Sequence, residues 1–84
     1  MIGGTLEFDK TPLTQACEEL SSRYGKVIHC EQIQKVILLT AQFNEHDQLK
    51  DILGKIAALN QLTLTALNDG SYLLTEERVL IKNQ

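Results

Sequence analysis

No run of about 18 apolar residues occurs in this chain, so it holds no segment that would cross a membrane as a helix. No basic stretch leads into a short apolar core, so the pattern of a secretory signal is missing too. Basic charge is scarce: eight Lys and Arg against eleven Asp and Glu leave a formal net charge of −3 over 84 residues. The shortage is even, with five acids and four bases in residues 1–42 and six and four in residues 43–84. Aromatic residues make up 5% and are not interleaved with Lys or Arg. Phosphate neutralisation supplies most of the affinity for nucleic acid, so nucleic-acid binding is disfavoured. A KH-like reading of a small α+β pattern also lacks its GXXG loop.

The spacings that carry chemistry are missing as well. The two cysteines, Cys17 and Cys30, form no Cys-x-x-Cys, and the two histidines, His29 and His46, no His-x-x-x-His, so no metal is expected. His29 and Cys30 are neighbours in a strand-like segment; their side chains point to opposite faces and cannot chelate together. Gly3-Gly4 is terminal and Gly54 stands alone in a helical pattern, so no glycine-rich phosphate cradle and no cofactor site is expected. The acid pairs Glu18-Glu19, Glu45 with Asp47, and Glu76-Glu77 fall on solvated faces or turns, whereas a catalytic dyad needs burial to separate its two pKa values. A chain of this length buries only about 60–65% of its unfolded surface, which leaves little for a deep cavity. The reading is of a protein that is not an enzyme.

What is present is an ordinary globular composition, 43% hydrophobic and 23% charged, which argues against global disorder. Met1-Ile2-Gly3-Gly4 reads as linking residues, and the chain as a domain cut from a longer protein. Residues 5–75 form the single module, and 76–84 a charged tail in which Val79-Leu80-Ile81 either adds a strand or frays. Thr5 to Phe8 alternates polar and apolar, a strand. Thr11 and Pro12 suit an N-cap and first helical position. Leu13, Ala16, Cys17, Leu20 and Tyr24 make one helix face, and Gly25 its stop. Lys26 to Cys30 reads as a second strand. Val36 to Phe43 is the most β-prone run, with Ile37, Leu39, Ala41 and Phe43 on one face. Asp47 suits the N-cap of a second helix whose stripe is Leu49, Ile52, Leu53, Ile56 and Leu59, ended by Asn60-Gln61, with Asn the residue fitted to a left-handed cap. Leu62 to Ala66 and Ser71 to Thr75 flank the turn Asn68-Asp69-Gly70 as a hairpin.

The order is β-α-β, β-α-β, β, and the halves echo each other: Leu49 lies 36 positions after Leu13, Leu53 after Cys17, and Ile56 after Leu20. One such unit cannot cover its own helix stripe. The fold class expected is α+β: two β-α-β units sharing one core, two helices packed on small mixed sheets, plus a C-terminal β-hairpin.

Phe8-x-x-x-Pro12-Leu13, Leu20, Tyr24-Gly25 and Ile28, then Leu39-Thr40-x-x-Phe43, Leu49-x-x-Ile52-Leu53 and the Asn-Asp-Gly hairpin, resemble the C-terminal domain of FecR-type anti-sigma factors. The same fold is similar to the short N-terminal domain of secretins and of TonB-dependent transducers. The likeness covers residues 5 to 75 and rests on turns, caps and core; Tyr24-Gly25 tilts it toward the FecR-type member. Cys30, where a large apolar residue is usual, and the long tail depart from the pattern. The resemblance implies the periplasmic end of an inner-membrane regulator. Such a domain would take its signal from the periplasmic signalling domain of a TonB-dependent outer-membrane transducer. The full-length protein would bind an ECF sigma factor through a cytoplasmic segment outside this chain.

Two sets of residues are singled out. Counting from the Gly25 turn, helix and strand rise place Cys17 and Cys30 within reach of each other. A disulfide is geometrically allowed and would suit an oxidising periplasm. Two buried free thiols are the preferred reading, because helix-to-strand pairs often miss the required Cβ geometry. The other set is Val36, Leu38, Thr40 and Gln42, the face of the third strand turned from the core. An open face there is a candidate protein interface, and at a sheet edge the strand would also accept a partner strand; cover by the tail or by a missing part of the chain is the competing reading. Two alternatives for function stand beside the regulator: the signalling domain of a TonB-dependent receptor or secretin, and a ferredoxin-like small-molecule-binding domain with a cleft between the units.

Overall fold

The computed structural model describes residues 5–76, and Val79-Leu80-Ile81 lie outside them. Seven elements follow in order: β1 (Thr5–Pro12), α1 (Leu13–Tyr24), β2 (Ile28–Glu31), β3 (Leu38–Asn44), α2 (Leu49–Asn60), β4 (Leu62–Ala66) and β5 (Tyr72–Glu76). The class is α+β, with two helices on small sheets, as the pattern predicts.

The echo in the sequence is exact in the helices. α2 begins and ends 36 positions after α1, and the flanking residues Pro12 and Gln48, Gly25 and Gln61, keep the same offset. Both C-terminal flanks adopt the left-handed conformation, Gly25 at φ 66° and Gln61 at φ 54°. The backbone N–H of each donates to a carbonyl of the preceding turn, Ser21 for Gly25 and Ala57 for Gln61. Gly25 takes this conformation without a Cβ penalty. In the second unit it falls on Gln61 rather than on Asn60, whose side chain instead donates to the Ile56 carbonyl at 2.9 Å.

The strands pair across the units. β1 runs antiparallel to β3 in a two-stranded sheet; β2, β5 and β4 form a second sheet in that order. β5 is parallel to β2 and antiparallel to β4. Each unit therefore places its first strand in one sheet and its second strand in the other. Equivalent strands run antiparallel, as about an approximate two-fold axis, and β5 is inserted between β2 and β4. This arrangement departs from a ferredoxin-like fold, whose strands lie in one sheet.

One apolar cluster draws on every element but β2: Leu6 and Phe8, Leu13, Ala16, Cys17 and Leu20, Ile37, Leu39 and Phe43, Leu49, Ile52, Leu53, Ile56 and Ala57, then Leu62 and Leu74; β2 packs the half-buried Ile28 and Cys30 against it. Leu20, Ile52, Leu53, Ile56 and Leu74 are fully enclosed. Phe8 and Phe43 meet edge to face with centroids 6.4 Å apart, a geometry aromatic rings favour. Leu59, expected in the stripe of α2, is 68% exposed, and Ala57 takes the buried position. The stripe curls toward the Ala57 side as the helix nears its end.

Both expected N-caps are displaced by a competing turn. β1 continues past Phe8 through a bulge to Pro12, with Lys10 at φ 52°. Within the bulge the Thr11 hydroxyl accepts from the Asp9 amide at 3.2 Å, so it is not free to cap α1. The first amide of α1, Leu13, donates instead to the Ile37 carbonyl at 3.0 Å. Asp47 is captured in the same way. Its carboxylate accepts from the Asn44 amide at 3.1 Å, and the Asn44 side chain accepts from the His46 amide at 2.8 Å. Gln48, extended and without a side-chain cap, precedes α2. Asx and ST turns of this kind compete directly with helix capping.

Candidate protein interface

β3 has one neighbour strand, β1, so among the described residues its other edge carries no ladder. Ile37 turns its carbonyl toward Leu13, on the β1 side. Backbone polar groups alternate along a strand, so Leu38, Thr40 and Gln42 turn theirs to the free edge. The Asn44 backbone, next in that alternation, bonds Asp47 through both its N–H and its C=O rather than a strand. An unpaired row of this kind is a template for another strand.

Side chains on the outward face are exposed. Val36 is 87% and Leu38 55% accessible, and Thr40 and Gln42 are exposed as well. The neighbouring strand adds Pro12 opposite Leu38 and Glu7 opposite Gln42. The face is thus apolar at the Val36 end and polar at the other. Thr40 does more than face solvent: its hydroxyl accepts from the Lys10 amide at 3.0 Å and so clamps the bulge of β1.

Three hydrogen bonds hold the segment that leads into this strand. The Gln34 amide donates to the Glu76 carboxylate at 3.0 Å, Lys35 Nζ donates to the Asn60 carbonyl at 2.9 Å, and the Ile37 carbonyl accepts from Leu13. Gln32, at φ 59°, turns the chain out of β2. Val36 is therefore displayed from a loop anchored to β5, to the C-terminal end of α2 and to the start of α1. Gln34, Lys35 and Glu76 were not among the residues expected from sequence. Their partners lie 25 to 42 positions away, beyond any local pattern.

Cys17 and Cys30 are brought together, with Sγ atoms 2.8 Å apart as free thiols. Cys17 is buried and Cys30 half-buried. The hydrogen bond to Cys30, reinforced by burial, pushes the Cys17 thiol far up; the same bond pulls Cys30 below its usual value.

A further depression of about 550 Å³ lies elsewhere, between Tyr24, Lys26, His46, Gln48, Lys50 and Tyr72. It is open, and the nearby Tyr24 hydroxyl is already committed, donating to the Asp47 carbonyl at 2.6 Å. His29 and His46 stay apart, and among the described residues no cluster of His, Cys, Asp or Glu could hold a metal ion. No buried side-chain polar atom is left without a partner among them. No helix of the described residues is long and apolar enough to cross a membrane.

A protein-family model described as FecR, C-terminal, matches residues 5–74. Two crystal structures of a candidate anti-sigma factor from Parabacteroides distasonis share the fold, with TM-scores of 0.77 and 0.78 at 16% identity. Each alignment covers 89% of this chain and 35% of that one, so this chain spans about a third of the length of those proteins. Among curated proteins none matches significantly.

Proposed function

The chain belongs to the FecR C-terminal family, and from that membership we propose that it is the signal-receiving, non-catalytic docking end of an anti-sigma regulator in the periplasm. Its partner is the periplasmic signalling domain of a TonB-dependent outer-membrane transducer, and the longer protein holds an ECF sigma factor through a cytoplasmic segment. The observation that carries this reading is β3, whose second edge holds no strand among the described residues and lies beside the exposed Val36 and Leu38. A partner strand added there gains main-chain hydrogen bonds along the edge, while Val36 and Leu38 supply apolar contact for side-chain selection. The segment is already pinned at three points, so docking spends little on ordering it. The family match favours the regulator over the receptor or secretin that shares the fold.

Leu38→Asp tests the reading. It places a charge on the exposed face and leaves the buried face of β3 intact. Calorimetric titration with the transducer's signalling domain should show binding weakened at least about tenfold, roughly 1.4 kcal/mol, at an unchanged melting temperature. In the full-length regulator the same substitution should blunt inducer-dependent transcription from the sigma-controlled promoter. Unaltered binding and induction would remove β3 from the interface.

A further inference from the structure

The thiols of Cys17 and Cys30 occupy a place the docking reading does not use. They come from the middle of α1 and from β2, 13 positions apart in sequence, and the chain doubles back between them at Gly25. Their sulfurs stand 2.8 Å apart, well inside the contact distance of two unbonded sulfur atoms. The backbone has thus already brought the two side chains to bonding range. Of the pair, Cys17 is 3% exposed. Cys30, half-buried, borders two openings: a groove of about 400 Å³ along Ser21, Val27 and Ile28, which Cys17 also lines, and a cleft of about 190 Å³ beside Ile33 and Val36, which Cys17 does not reach.

We propose that Cys17 and Cys30 close into a disulfide that braces α1 against β2, formed by exchange with a small-molecule disulfide that enters at Cys30. The Cys30 thiolate attacks one sulfur of the oxidant, forming a mixed disulfide and releasing the first small thiolate. Cys17 loses its proton to solvent and attacks the Cys30 sulfur, releasing the second. One oxidant disulfide is consumed, two small thiols appear, and the protein loses two hydrogens. The order of attack follows from access, and the downward shift of Cys30 agrees with it. The bond joins residues 13 positions apart and so removes freedom from the unfolded chain. It also fixes the end of β2, from which the segment displaying Val36 departs. This inference stands on the position of two side chains and is independent of the partner at β3.

The test uses the reduced chain and oxidised glutathione. Intact mass should fall by two hydrogens, with no thiol left to react after unfolding and no dimer on a non-reducing gel. The oxidised form should melt about 10–20 °C above the reduced form. Cys17→Ala should stop at a stable glutathione adduct on Cys30, and Cys30→Ala should stay unmodified while folded. Comparing oxidised with reduced wild type needs no variant to fold. The proposal is overturned if both thiols stay free, if the wild type stops at an adduct or a linked dimer, or if the bond forms without raising the melting temperature. An adduct on Cys17 in Cys30→Ala would overturn the order of attack.

Discussion

Leu20→Ala probes whether the two units fold as one. Leu20 is fully enclosed in α1, and Ile56 holds the equivalent place in α2, 36 positions on and equally enclosed. Both side chains belong to the same apolar cluster. Truncating a leucine in such a site costs about 2.7–5.0 kcal/mol, the lost transfer energy plus the cavity left behind. At about 0.05–0.15 kcal/mol per residue, an 84-residue domain holds about 4–13 kcal/mol in total. The substitution therefore removes a large share and should lower the melting temperature by at least about 10 °C. Ile56→Ala should cost a similar amount. The informative assay is amide hydrogen exchange of both helices in each variant. A shared core predicts that Leu20→Ala lowers protection in α1 and α2 by the same free energy, since both open only when the whole domain opens. Loss of protection in α1 with wild-type protection in α2 would refute the shared core and leave two units that merely touch.

Two other outcomes follow from particular residues. Gln61 holds a left-handed conformation that glycine holds at the matching position 25, so Gln61→Gly should stabilise the domain by about 0.5–1 kcal/mol in urea unfolding, the relief of backbone strain exceeding the entropy glycine adds to the unfolded chain. Asp69 accepts from the amide and the hydroxyl of Ser71, and these bonds hold its pKa below the ordinary carboxylate value. A depressed folded pKa gives stability that is present above the unfolded value of about 3.9 and is lost as pH falls through the folded one. The advantage of wild type over Asp69→Asn should therefore be constant near neutrality and shrink only below about pH 4, and an advantage that shrinks between pH 5 and 7 would contradict this origin.

The helices are legible because their apolar stripes are local and written twice with one offset; the left-handed stop is legible at Gly25, whereas the second falls on Gln61, one residue past the Asn60 fitted to it. The caps were less so. Thr11 and Asp47 are good capping residues, but a bulge and an Asn-Asp turn take their oxygens first. The pattern along each strand told which side faces inward and placed Ile37, Leu39 and Phe43 in the core. It carried no information on which strand lies beside which. That β5 slips between β2 and β4, and that β1 and β3 stand apart as their own pair, follows from how two units share one core rather than from any local run. The outward face of β3 was named from alternation alone. The anchors that display it, Gln34 to Glu76 and Lys35 to Asn60, join residues distant in the chain. Helix and strand rise alone place Cys17 and Cys30 within reach of each other, because those two lengths are set by local structure.

The most direct test of the docking account is an amide-resolved NMR titration of this chain with the signalling domain of a TonB-dependent transducer from the same organism. The account predicts shifts concentrated in residues 36–42 and the adjoining bulge at Lys10, with the Leu38, Thr40 and Gln42 amides newly protected from exchange by the added strand. Shifts centred instead on the open depression at Tyr24, His46 and Lys50, or none at saturating partner, would contradict it.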